Sequence, residues 1–118
     1  MMRNVITICL LAFLGSCNNK ALPGNTNTDT PTCITDMMKK FKAEPEQNPP
    51  RKIFSYEYKG NVVYYVTAVC CDMYSDLYSS DCKLLGHPDG GITGKGDGTL
   101  PDFDAEKTGE QLVWADKR

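Results

Sequence analysis

Ile53-Phe54-Ser55-Tyr56-Glu57-Tyr58, then Lys59-Gly60-Asn61, then Val62-Val63-Tyr64-Tyr65-Val66-Thr67-Ala68-Val69-Cys70-Cys71 is the stretch on which the fold turns. Its first part alternates in polarity, its middle carries turn chemistry, and its last part is rich in β-branched and aromatic side chains. The pattern predicts an antiparallel hairpin over residues 51–71. The tight loop is Lys59-Gly60 or Gly60-Asn61. Both choices give the same faces, because their registers differ by an even number. Phe54, Tyr56 and Tyr58 share one face with Val63, Tyr65, Val69 and Cys71. Ser55 and Glu57 share the other with Val62, Tyr64, Val66 and Cys70. The first face predicts the core side, packed against a helix, with its rings paired across the strands.

That helix precedes the hairpin. Ile34, Met37, Met38 and Phe41 recur at helical spacing and make one apolar stripe, with the methionines as core filling. Thr30 or Thr32 is placed to cap its start, with Pro31 tolerated in the first turn. Lys39, Lys40 and Lys42 suit the negative end of the helix dipole, and Pro45 with Pro49-Pro50 stops it. After the hairpin, Asp72 to Tyr78 reads as a helical turn or two capped by Asp72, and Lys83-Leu84-Leu85 as a short strand. Six glycines within residues 86–98 predict loop. Gln111-Leu112-Val113-Trp114 reads as a last strand, with Trp114 anchoring the core. The expectation is an α+β domain: an N-terminal helix on a small antiparallel sheet, a Gly-rich loop, a C-terminal strand and disulfide staples.

The N-terminus carries an address. Met1 to Ser16 has one positive charge, the ten residues Val5 to Leu14 as an apolar run, and then small residues, the three-part plan of a secretory signal. Ten helical residues rise only about 15 Å, half the hydrocarbon thickness of a bilayer. Leu14-Gly15-Ser16-Cys17 is similar to a bacterial lipobox, and that resemblance implies cleavage before Cys17 and lipidation of its thiol. Several acyl chains on one residue exceed the two-signal threshold for stable anchoring. Asn18, rather than an aspartate, follows the cysteine, which favours the outer membrane of a Gram-negative cell. Residues 17–31 then form a lipidated end and a polar tether, whose coil span of about 20 Å holds the domain just clear of the headgroups. The folded domain is expected over residues 32–118.

Size and charge exclude whole classes. The chain has 118 residues, too few for a TIM barrel, a doubly wound dinucleotide fold or a kinase. Losing residues 1–16 removes Arg3 from 13 basic residues against 15 acidic ones, so the mature net charge is −3. That balance lacks the basic field that nucleic-acid backbones require. At 41% apolar residues the chain can still bury a core, though a small one.

Cys9 leaves with the signal and Cys17 is assigned to the lipid, so Cys33, Cys70, Cys71 and Cys82 remain as disulfide candidates. Four cysteines in a small exported domain imply two bridges. A Cys70–Cys71 bond closes a strained eight-membered ring. The face assignment favours Cys33–Cys71 with Cys70–Cys82. Neither the Cys-x-x-Cys of redox proteins nor a zinc spacing is present.

The most distinctive segment is His87-Pro88-Asp89-Gly90-Gly91-Ile92-Thr93-Gly94-Lys95-Gly96-Asp97-Gly98. It fails as a phosphate loop, because Asp89 stands where the first glycine belongs and Gly96 where the hydroxyl belongs. His87, Asp89, Asp97 and Asp102 are candidate ligand residues. A weaker alternative is calcium at Asp97, Asp102 and Asp104, with Asp89 and Glu106 nearby, since hard oxygen ligands suit that ion. The spaced aspartates of an EF-hand are missing, and loop acids that face water explain the same residues. No catalytic residue or cofactor can be named, because a general base needs a nucleophile beside it.

Cys70-Cys71-Asp72, Leu77-Tyr78, the segment Pro88 to Gly98 and Pro101-Asp102-Phe103 together resemble a small domain family of unknown function found in bacterial lipoproteins. The resemblance covers roughly residues 33–118. It implies no activity. It also implies two further cysteines in other members, at the positions of Gly86 and Leu100 here. The expected function is a non-enzymatic envelope lipoprotein, held to the membrane by its lipid and binding an envelope protein, a glycan or a small ligand. The alternatives are an exported enzyme with an unrecognised site and a calcium-stabilised module.

Overall fold

A computed structural model describes residues 30–118 except Cys71. The signal segment, Cys17 and most of the tether lie outside these residues. Helix α1 spans Thr32–Ala43, and its apolar stripe closes as the spacing predicts, with Ile34 and Phe41 buried and Met37 and Met38 packed beside them. No side chain caps its start; instead the Pro31 carbonyl accepts from the amides of Ile34 and Thr35. The Glu44 amide donates to the Lys40 carbonyl, and the backbone leaves the helix there in an extended conformation. At twelve residues the helix is marginal by itself and depends on the sheet it covers.

The hairpin is β1, Lys52–Tyr58, paired with β2, Asn61–Val66. Tyr58 faces Asn61, so the loop is Lys59-Gly60. Both residues have positive φ, 49° and 78°, the conformation that a two-residue turn matching the strand twist demands. β2 ends at Val66, five residues short of the predicted hairpin end, where Thr67 exchanges bonds with Lys52 through both its amide and its hydroxyl.

The remaining elements are β3, Asp76–Ser79; β4, Leu84–Gly86; the short α2, Phe103–Glu106; and β5, Thr108–Ala115. Among the described residues the five strands form one antiparallel sheet in the order β4-β3-β2-β1-β5. The helical turn expected between Asp72 and Tyr78 is therefore corrected. Leu77 and Tyr78 alternate across the sheet opposite Tyr65 and Tyr64, and that pairing outweighs the local capping signal of Asp72. β5 is an edge strand that carries an extra residue twice against β1, and such bulges interrupt the exposed ladder.

Both faces of the hairpin are buried, under different covers. Ile53, Tyr64 and Val66 meet Ile34 and Phe41 of α1, with Tyr78 and Trp114 packed beside them. Tyr56, Tyr58, Val63 and Leu77 on the opposite face meet Phe103 of α2, with Phe54, Tyr65 and Leu100 at the margin. Within β1 and β2 the face membership is as predicted, but α1 lies on the second face and not on the aromatic one, and Val69, predicted on the aromatic face, lies beyond β2 on the side of α1. Ile53 starts the second face and turns it apolar. Phe103, outside every predicted element, supplies the lid of the first. Fully buried Ile34, Ile53 and Leu77 each contribute about 1.5–3 kcal/mol relative to exposure.

The cysteine pairing differs from the expectation as well. Cys33, at the start of α1, is bonded to Cys82, in the turn between β3 and β4, with Cα atoms 5.9 Å apart. This rules out both Cys33–Cys71 and Cys70–Cys82. Those pairings followed from carrying strand alternation to residue 71, and β2 stops at Val66. Cys70 is itself in a disulfide.

Candidate functional site

Helix α1 does not seal the sheet along its whole length. Between it and the chain linking β2 to β3 lies a cleft of about 470 Å³. Cys33, then Asp36 and Met37, then Lys40 and Phe41, one turn apart from group to group, put one helical stripe along one wall. Val66 and Tyr78 of the sheet contribute apolar surface, and Thr67, Val69, Met73 and Tyr74 of the β2–β3 connection form the opposite side. Met73 and Tyr74 are exposed. The volume falls within the range of small-molecule sites, roughly 300–1,000 Å³.

Arg51 stands in this cleft in an unusual state. Its guanidinium lies 4.0 Å over the Phe41 ring, and one terminal nitrogen is 3.3 Å from a Glu44 oxygen. Its Nε is sealed from solvent and has no hydrogen-bond acceptor among the described residues. A buried donor left in that condition costs on the order of 1–3 kcal/mol. A larger recess of about 700 Å³ runs along Leu112 to Arg118, but it is more open and its arginine is differently placed. Arg118 donates to the Asp116 carboxylate and to the carbonyls of Phe41, Lys42 and Glu44.

The residues singled out in the glycine segment go to separate places. His87 Nδ1 is 2.8 Å from an Asp76 oxygen and 3.0 Å from the Ser75 carbonyl, and its ring stacks on Tyr74 with centroids 5.0 Å apart. Because Tyr74 and Asp76 line the cleft, His87 backs its wall without entering it. The Asp89 carboxylate accepts from the Tyr65 hydroxyl at 2.7 and 3.0 Å and from the buried Ser75 hydroxyl. Asp97 accepts from the amide and hydroxyl of Thr99, which hold its carboxyl below the usual range. Asp102 accepts from Lys59 at 2.8 Å and Tyr58 at 2.5 Å, and these two bonds, Lys59 first, lower its pKa. Asp104 pairs with Lys107 at 2.6 Å. Among the described residues no three His, Cys, Asp or Glu side chains gather as a metal site. Gly86 and Leu100 are neighbours, since a Cβ added to Gly86 would stand 3.1 Å from the Leu100 side chain.

Comparison with protein families now bears on these positions. The family model described as Domain of unknown function (DUF6970) matches residues 39–116. The chain belongs to this family. The match runs from the last turns of α1 through β5, so it takes in the whole sheet of the DUF6970 domain. Lys40, Arg51, Met73 and Tyr74 of the cleft lie inside it, whereas Cys33 and Met37 precede it. Comparison with curated proteins gives no match, and comparison with solved structures gives none.

Sequence reasoning missed the cleft of this DUF6970 domain. Its side chains come from α1, the residue before β1, the end of β2 and the β2–β3 connection, and no local pattern joins them.

Proposed function

We propose that this protein is a membrane-anchored lipoprotein of the cell envelope whose folded domain is a small, non-enzymatic binding module. The cleft between α1 and the β2–β3 connection carries the reading. It combines apolar walls with a few placed charges, the composition of a site that holds a ligand by shape and orients it by polarity. The polar groups beside it are engaged with one another rather than poised for reaction. His87 directs Nδ1 to Asp76 and the Ser75 hydroxyl donates to Asp89, so this serine is not activated by the imidazole. The anchor rests on the apolar run Val5 to Leu14 and on Leu14-Gly15-Ser16-Cys17. Asn18 favours the outer membrane.

The anchor is tested by fractionating cells that express the wild type and Cys17→Ser. The wild type belongs in the membrane fraction, with a mature N-terminal mass that carries acyl chains. The variant belongs in an uncleaved or soluble form. Equal partitioning and an unmodified Cys17 in the wild type would remove the lipoprotein reading.

A further inference from the structure

We infer that the cleft takes an uncharged sugar ring, with its C–H face stacked on Tyr74 and its hydroxyls bonded to the polar groups of the cleft walls. The inference rests on the binding-module reading and adds the chemical class of the ligand. The setting of Tyr74 carries it. This ring lines the cleft and is exposed. His87, which does not line the cleft, stacks on it with planes 19° apart, so the covered face is the one turned away from the cleft. His87 is itself fixed by Asp76 and by the Ser75 carbonyl. Backbone from the glycine segment holds the same place. The Gly91 amide donates to the Met73 carbonyl, Tyr74 bridges to Gly90, and the Ser75 amide donates to the Asp89 carbonyl. Gly91 also lies against the edge of the Tyr74 ring, where an added Cβ would stand 2.5 Å from Cε1. A side chain held in this way loses little freedom on binding, so the open face of Tyr74 is a preorganised platform.

The rest of the lining selects a ligand without net charge. Lys40 and Arg51 are balanced there by Asp36 and Asp76, and Arg51 also meets Glu44. A charged molecule gains no net attraction from such a wall, and a wholly apolar one would cover its polar groups without giving them partners. A sugar ring meets both conditions. Its hydroxyls donate and accept, and its C–H hydrogens present a weakly positive face to the negative face of an aromatic ring. Asp36 and Lys40, one helical turn apart, offer an acceptor and a donor. The Thr67 hydroxyl accepts from the Lys52 amide and keeps its own proton to give. Met73, exposed beside Tyr74, extends the apolar rim with an unbranched side chain that adapts to linked rings.

Methionine methyl spectra of the full chain test this directly. Met37 and Met73 line the cleft, and Met38, the other methionine after residue 16, does not. The probes are cellotriose, maltotriose and the trimer of N-acetylglucosamine, all uncharged. Trimers of glucosamine and of glucuronate are their cationic and anionic counterparts, and octanol is a plain apolar probe. A neutral trimer is expected to shift Met37 and Met73, to leave Met38 in place, and to bind at least about tenfold more tightly than either charged trimer, a difference of about 1.4 kcal/mol. Its ring C–H protons should move upfield, as protons above an aromatic face do. Tyr74→Phe should keep this binding, and Tyr74→Ala should weaken it at least about tenfold. Gly91→Ala should weaken it too, whereas Gly94→Ala, with a similar φ but open space, should not. If octanol shifts the two methyls and no neutral trimer does, or a charged trimer binds best, or Tyr74→Ala binds like the wild type, the sugar assignment falls while the binding module stands. If no probe moves either methyl, both fall. Parallel movement of Met38 would mean nonspecific uptake and would also overturn the assignment.

Discussion

The hydroxyl of Tyr65, on the central strand β2, donates to the carboxylate of Asp89 at 2.7 Å and so ties the glycine-bearing segment to the aromatic face of the sheet. The same carboxylate takes the hydroxyl of Ser75, a fully buried residue, and the Ser75 amide donates to the Asp89 carbonyl. One aspartate thus joins β2, the approach to β3 and the segment after β4.

Asp89→Ala should therefore destabilise the domain by about 1–3 kcal/mol, because it leaves the Tyr65 hydroxyl without its acceptor and the Ser75 hydroxyl with only the longer bond to the residue 89 carbonyl. Asp104→Ala is the contrast. Its side chain is 91% exposed and meets only Lys107, so its loss should cost less than about 0.5 kcal/mol. Urea unfolding of both variants compares them. Equal midpoints would mean that the Tyr65–Asp89 bond does not hold the segment. The sequence placed all of these acids in solvated loop, and the hydrogen bonds of the half-buried Asp89 are what change the expectation.

The tyrosines carry a prediction at high pH. Burial first, then bonding to Glu110, raises the Tyr56 hydroxyl above the ordinary phenol range, and burial with bonding to Asp89 does the same for Tyr65. Tyr58 is raised by burial and by Asp102, and Tyr78 by burial and Asp76. A phenol whose folded pKa is raised prefers its neutral form in the fold. Its contribution to stability is complete below the unfolded pKa near 10 and is lost as pH rises from there toward the folded value. Tyrosinate absorbance from these four residues should then appear together with cooperative unfolding. A single smooth titration near the ordinary value, without loss of structure, would contradict the burial of these rings.

Much of the frame was legible because it is local. Alternation fixed β1 and the start of β2, helical spacing fixed α1, and Lys59-Gly60-Asn61 fixed the turn to within one residue. The rest depends on distant contacts. Ile53 gives both faces of the hairpin an apolar character, so choosing the aromatic face for α1 was a reading the sequence could not secure. β3 is four residues long, too short for its alternation to be read in the sequence above the local helix signal of Asp72. The cysteine pairing turned on where β2 ends, and Thr67, bonded to Lys52, is where the ladder with β1 closes. The cleft was illegible for the same reason: Lys40 and Arg51 approach only after the helix folds back over the sheet.

The glycines of the segment are not equivalent, and substitution should separate them. Gly96 has φ of +70°, and a Cβ there would lie 2.0 Å from the His87 carbonyl oxygen, a backbone atom that cannot yield cheaply. Gly94 has φ of +74° with open space around it. Gly94→Ala should cost about 1 kcal/mol, from the left-handed backbone alone. Gly96→Ala should cost several times as much and should weaken the Asp97 amide bond to the His87 carbonyl. Thermal melts rank the two, and hydrogen exchange at Asp97 locates the damage. A milder effect at Gly96 than at Gly94 would mean that the two backbones do not approach as described.

The Cys33–Cys82 bridge gives the sharpest test of the corrected fold. It spans 49 residues of sequence, for which the loop-entropy account gives about 4 kcal/mol. It also fastens the start of α1 to the β3–β4 turn, at the end of the helix away from Arg118. That second end is tied separately, because Arg118 donates to the carbonyls of Phe41, Lys42 and Glu44. Replacing both cysteines by serine should therefore lower stability by about 4 kcal/mol and loosen the first turns of α1 more than the last. Hydrogen exchange along the helix reads this directly: amides near Ile34 should lose protection before those near Phe41. The wild type should show no thiol at Cys33, Cys70 or Cys82 when denatured without reductant, since each is in a disulfide. A double variant with unchanged stability and an evenly protected helix would mean that the bridge adds nothing to the hold that α1 has on the sheet. In that case the packing of Ile34 and Phe41 against Ile53, Tyr64 and Val66 alone would set the position of the cleft wall.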